Sequence, residues 1–232
     1  MIPALFPAIA FIPFFSTDMI VMLGLLMIPV LLIYLYIIIS EEAFELAGMN
    51  GWAALLMTLG ALAGSFIDIP FMAIDGVTLA VNAGGCLIPL LISAELVSRR
   101  RVGKGPVVLS ILLVAATSYY FSVPTAGQGI LMPFYVAPLA GAFAGILFTR
   151  AEITAAGTAY IGGAMGTLLG ADIAHLLTPG TIAHIAAGKP AVLSIGGAGV
   201  FDGIFLTGIF AVFLAAVVAR RIRESETNRE SG

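Results

Sequence analysis

The sequence predicts an all-α membrane protein: a polytopic bundle of seven transmembrane helices, or eight if the N-terminal segment also crosses, with glycine-interrupted helices and an internal repeat. Three observations carry that expectation: scarcity of charge, long continuous apolar runs, and basic residues gathered in alternate connections. Hydrophobic residues make up 60% and charged residues 10% of the 232 positions, against about 25% charged in an average soluble domain. A mean hydropathy of +1.11 leaves too little polar surface to cover a water-soluble fold. At about 20 apolar residues per span, residues 1–232 read as one integral membrane domain with short loops and a polar tail over 224–232.

From the N-terminus, Met1 to Phe15 is apolar but has no basic stretch of the kind that opens a signal peptide, and Pro3, Pro7 and Pro13 interrupt any helix there. The segment is expected to be retained; spanning and surface placements are both open. Apolar runs then predict helices near 19–39, 53–69, 77–97, 106–123, 129–149, 153–176 and 192–219. A closed strand barrel is disfavoured, because the runs are continuously apolar and do not alternate with period two.

Basic residues cluster at Arg99, Arg100, Arg101 and Lys104, at Arg150, and at Arg220, Arg221 and Arg223. With seven spans these fall on one side, which the positive-inside rule makes cytoplasmic, the C-terminus included. The expected location is the cell (cytoplasmic) membrane. The connections near Asp68 to Asp75, Ser122 to Gln128 and Leu177 to Pro190 then face outward, with Lys189 their only lysine or arginine. Ser40 to Gly51, carrying Glu41, Glu42 and Glu45, reads as a solvated acidic connector. Trp52, Tyr119 and Tyr120 lie near span ends and read as interfacial anchors.

A repeat is suggested by GALAG at Gly60 to Gly64 and GTLLG at Gly166 to Gly170, about 106 residues later. Each is followed within a few residues by an aspartate, Asp68 or Asp172. A glycine pair comes next in both, Gly84-Gly85 in NAGGCLIPLL and Gly196-Gly197 in SIGGAGVFDGIFL, and LMIP at Leu26 to Pro29 is faintly echoed by LMP at Leu131 to Pro133. The halves would be 1–104 and 105–223. If residues 1–16 count as a span, each half has four helices and the two run parallel.

The candidate site follows from charge placed where it is costly. Asp202 lies about ten residues into the last span, roughly 15 Å deep in a hydrocarbon core about 30 Å thick. A carboxylate there costs on the order of 2.5–3.5 kcal/mol on insertion scales, which makes it a functional candidate or an acceptor for backbone N–H groups at a broken helix. The glycines Gly196, Gly197 and Gly199 before it favour such a break, and Asn82, Gly84, Gly85 and Pro89 form the matching element in the first half. Close packing through small residues explains the same glycines. Asp172 and His175, three residues apart, share a helix face and could relay protons or simply face the surface. Asp75-Gly76 reads as a turn rather than a site, Asp68 is left aside with it, and Glu95 is within reach of the Arg99–Arg101 cluster or of water.

Some chemistry is excluded or unsupported. Cys86 is the only cysteine, so no intramolecular disulfide or cysteine-based zinc site forms, and it reads as a packing residue. With two histidines, His175 and the loop residue His184, no metal site and no cofactor is expected. Nucleic acid is excluded as a partner; the lipid bilayer, a small solute or ion, and further copies in an oligomer are the expected ones.

The runs NAGGCLIPLL (82–91), GADIAHL (170–176) and SIGGAGVFDGIFLTG (194–208) together resemble an uncharacterised prokaryotic membrane family known as domain of unknown function 1614. The resemblance extends from about Gly60 to the end of the last helix, and the glycine-rich run around Asp202 is its most specific part. It implies a multi-pass membrane protein of a bacterium or archaeon and supplies no activity. The family pattern has threonine at Val200 and asparagine at Asp68; the second departure argues against a catalytic Asp68.

Three functions compete at this stage. A small-solute or ion transporter would bind its cargo at mid-membrane around Asp202, with Asp172, Asn82, His175 and the glycines contributing. An intramembrane aspartyl protease would use Asp172 and Asp202 as a dyad sharing one proton; here Val200 and Phe201 separate the glycines from the aspartate, unlike the presenilin-type Gly-x-Gly-Asp run, and no Pro-Ala-Leu segment follows. A non-catalytic assembly or scaffold protein would need only small-residue helix faces. Transport or binding ranks first, and an enzyme is the less favoured class.

Overall fold

A computed structural model describes residues 17–74, 76–99, 102–149, 152–197 and 203–230. The chain divides into two units, 1–38 and 39–232. The described part of the first is the apolar beginning of helix α1 (Thr17–Leu46), which carries Pro29 in its interior. The predicted N-terminal segment lies outside the described residues.

The second unit begins with the end of α1. The predicted loop from Ser40 is instead helical to Leu46, because Ala43 and Phe44 give it an apolar face that is fully buried while Glu42 and Glu45 stay exposed. Then come α2 (Gly51–Gly64), strands β1 (Asp68–Ile74) and β2 (Val77–Asn82), a π-helical turn (Ala83–Leu87) and α3 (Ile88–Ser98). Asn50 starts α2 by accepting the Trp52 N–H at 3.0 Å. The chain continues through α4 (Lys104–Phe121), β3 (Val123–Thr125), β4 (Gly129–Leu131), α5 (Val136–Phe148), α6 (Glu152–Thr167), a second π-helical turn (Leu168–Ile173), α7 (Ala174–Leu177), α8 (Thr181–Ala186), β5 (Ala191–Ile195) and α9 (Gly203–Glu230). Glu95 meets Arg99 at 3.0 Å, as its position in the sequence suggested.

Helix α6 is the hub. It packs against α4, α5 and α9, and residues 155–166 are buried throughout. That is possible because the helix is built of alanine and glycine, which let backbones approach closely when no bulky side chains intervene. A Cβ on Gly162 would strike Ser110 of α4, one on Gly166 would strike Val114, and one on Gly145 of α5 would strike Ala155 and Ala159. Gly208 of α9 leaves room for Tyr160, whose ring meets Phe44 and Phe205 edge-on at centroid distances of 5.3 and 5.7 Å.

Among the described residues, three helical stretches are long and apolar enough to cross a membrane: Val21–Leu46, Lys104–Phe121 and Ile204–Ile222. The fold is mostly helical, yet the all-α expectation needs correcting. Strands β1, β2 and β5 form one sheet, with β2 between an antiparallel β1 and a parallel β5, and β3 pairs with β4 in a second. The predicted spans 77–97 and 192–219 each begin as a strand and continue as a helix. The cause is local: VTLAV and AVLSI are rich in the branched residues that strands favour, and the helices start only near or after the glycines.

The three connections expected to lie outside are thus not loose loops. They assemble into one ordered cap, in which Val77, Leu79 and Ala186 form a small core under Ile182, Ala191 and Leu193. The Gly127 N–H donates to the Ile185 carbonyl at 2.8 Å and ties the second hairpin in. Gly76, with φ of 83°, makes the tight turn between β1 and β2 that Asp75-Gly76 predicted; Asp75 itself lies outside the described residues.

Candidate functional site

Asn82 ends β2 in an extended conformation and is 2% exposed. Its Oδ1 accepts the Gly85 N–H at 2.9 Å, capping the π turn, and its Nδ2 donates to the Ser65 carbonyl at 3.0 Å and to Asp68 Oδ1 at 2.9 Å. Three of the four hydrogen bonds an asparagine can make are thereby formed in a buried place, where each missing one is costly. Asp68 Oδ1 also accepts from Ser194 Oγ at 2.5 Å. One carboxylate of β1 therefore joins the ends of β2 and β5.

The two glycine pairs meet at the same spot. A Cβ on Gly196 would lie 2.6 Å from the Gly85 carbonyl carbon, and Gly196 has φ of 76°, so both the close approach and the left-handed backbone demand glycine. Gly84 is pressed on its other side against the end of α2, with the Ala61 carbonyl oxygen 2.2 Å from where its Cβ would be.

Asp172 reaches this junction from the second π turn. Its Oδ2 accepts the Gly196 N–H at 2.8 Å, which fixes the carboxylate against the start of the glycine run. A π turn carries one residue more than an α turn and recurs at functional sites. Here it directs Asp172 to β5 while His175, three residues on, turns to α4. His175 is buried, stacks on Tyr119 at 4.5 Å between ring centroids, and places Nε2 2.8 Å from Ser122 Oγ and 3.2 Å from the Tyr119 carbonyl. That carbonyl belongs to the last turn of α4, which has no further helical N–H to meet it. His175 thus meets the end of α4, and His175→Ala is expected to cost about 1–2 kcal/mol in unfolding measurements while leaving any Asp172-dependent ligand response intact.

Beside Asp172 lies a cavity of about 970 Å³, at the upper end of the range for small-molecule sites. Its walls are residues 127–132, residues 189–197, and the first turns of α9 through Ile204, Thr207 and Phe210. Among the described residues Asp172 is its one carboxylate and Lys189 its one cationic side chain. A mostly apolar hollow with a few polar groups is suited to hold a solute and to fix its orientation. No group of three His, Cys, Asp or Glu side chains that could hold a metal ion occurs among the described residues.

The structure brings together Asn82, Gly84, Gly85, Asp172 and Gly196. Gly197 is exposed and donates its N–H to the Ser194 carbonyl at 3.0 Å, and His184 is exposed on α8. Asp202 and Gly199 lie outside the described residues, and with Asp202 goes the predicted protease dyad. Sequence reasoning missed Asp68, Ser65, Ser194 and Lys189. A hairpin centred on Asp75-Gly76 would have found the first, since it sets Asp68 opposite Asn82.

No curated protein and no solved structure matches the chain. A family model does match, over residues 57–214, a stretch that contains every residue of the site just described. The chain belongs to the family described as protein of unknown function, DUF1614.

Proposed function

We propose that the protein is a multi-pass membrane protein that binds a small solute or ion in the cavity beside Asp172 and carries it across the bilayer. The observation that carries the reading is a carboxylate anchored on a backbone N–H at the wall of a largely apolar cavity. Three further features support it: helices long and apolar enough to span, the paired GALAG and GTLLG runs, and glycine pairs that follow two parallel strands. In this reading residues 1–232 are one integral membrane domain of repeated halves. Seven or eight segments cross the cell membrane, short helices such as α2 are completed by the strands, and the C-terminus is cytoplasmic.

The test is a thermal-stability screen of the purified protein against ions and metabolites, with Asp172→Asn and Asp202→Asn beside the parent. A ligand at 100 times its Kd stabilises by about 2.7 kcal/mol. The expected result is such a shift in the parent, largely lost in Asp172→Asn. A panel in which every ligand leaves the parent unmoved, or moves Asp172→Asn equally, would refute the reading.

A further inference from the structure

The cavity is walled in an unusual way. Side chains of a strand alternate between its two faces, so a cavity lying on one face of β5 would touch every second residue. This one touches every residue from 189 to 197, and therefore runs along the strand's edge. Strand β5 is the outermost of its sheet, and no described strand pairs with its other edge. Residues 127–132, which include β4, also line the cavity without a gap. The cavity is a slot along the edge of β5, whose backbone groups can bond an added chain.

The charges sit at the two ends of that slot. Asp172 is held at Gly196, just beyond the end of β5, and Lys189 stands just before its beginning. The five residues of β5 span about 17 Å at 3.3 Å each, too far for one small zwitterion to touch both. An extended chain of about five residues covers that length.

We propose that the ligand of this cavity is a short peptide with free termini, added to β5 as an antiparallel strand, its N-terminal ammonium at Asp172 and its C-terminal carboxylate at Lys189. The direction follows from the charges, because β5 runs from the Lys189 end to the Asp172 end. The main-chain bonds of strand addition do not depend on side chains, and the apolar walls at Ile130, Ile195 and Phe210 favour small apolar ones. The inference rests on the solute-binding reading and deepens it.

The test uses the full chain in detergent or nanodiscs and the pentapeptide Ala-Leu-Ala-Leu-Ala. Its N-acetylated, C-amidated and alternately N-methylated forms, and free leucine, are measured alongside. Binding is read by thermal shift and by titration calorimetry. The free peptide is expected to bind, with acetylation and amidation each weakening it about tenfold or more and N-methylation of the paired edge abolishing it. Acetylation should make no difference in Asp172→Asn, and amidation none in Lys189→Gln, an exposed change that leaves the fold intact. Equal affinity for leucine and the pentapeptide, or for the methylated and free forms, overturns the proposal. If no peptide binds but another solute stabilises the parent and not Asp172→Asn, the peptide inference falls and the solute reading stands. If nothing acts through Asp172, both fall.

Discussion

Gly84→Ala is expected to destabilise the protein by about 3 kcal/mol or more, at the severe end of overpacking changes, and to lower the yield of folded material. The added Cβ would lie 2.2 Å from the Ala61 carbonyl oxygen, 2.4 Å from the Ser65 nitrogen and 2.9 Å from the Gly64 carbonyl carbon. All three are backbone atoms of the end of α2, so no rotamer change relieves the clash; the π turn and α2 must part. Parting them breaks the bond from Asn82 to the Ser65 carbonyl and moves Gly85 away from Gly196. Gly105→Ala is the control. It lies in the first turn of α4 with nothing within 4 Å of the new methyl, and alanine gains up to about 1 kcal/mol over glycine in a helix. Opposite shifts of the two variants in thermal and denaturant unfolding are the expected outcome. A parent-like Gly84→Ala would mean that the close approach is not there.

How much of this was legible in the sequence depends on what each segment spends its apolar residues on. Helices α4, α6 and α9 were readable because they fall within long apolar runs. The strands were hidden by the same signal. VTLAVN and AVLSI are short, continuously apolar and followed by further apolar residues, so nothing in their periodicity separates them from the start of a helix. The information that could have done so was the Asp75-Gly76 turn, recognised as a turn but not extended into a hairpin.

The site shows the same division. Asn82, Asp172 and the glycine pairs stood out because polar or flexible residues are conspicuous in an apolar run, and the structure gathers them. Asp68 and Ser194 did not, since their role comes from a pairing of β1, β2 and β5 across more than a hundred positions of sequence. The Asp172–His175 spacing looked like a pair on one α-helical face. The π turn rephases that face, and no spacing rule for a regular helix anticipates it.

The second large effect is expected at Asn82. Asn82→Leu keeps the shape and removes three hydrogen bonds at once, leaving the Ser65 carbonyl and the Gly85 N–H buried without partners; about 3 kcal/mol of stability should go with them. Ser194→Ala, which takes one bond from the more exposed Asp68, should cost about 1 kcal/mol. Asn82→Asp separates hydrogen bonding from shape. Its carboxylate can still accept the Gly85 N–H, but it faces Asp68 at the 2.9 Å now spanned by an amide hydrogen bond. Two carboxylates that close must hold one proton between them. That proton is bound in the folded state and not in the unfolded one, so the stability of this variant should rise as pH falls towards 5 and drop as pH rises, against a parent baseline measured over the same range. An Asn82→Asp variant whose deficit is the same at pH 5 and pH 8 would show that Asp68 and Asn82 do not share a bond, and would remove the link between β1 and the ends of β2 and β5 on which the site is built.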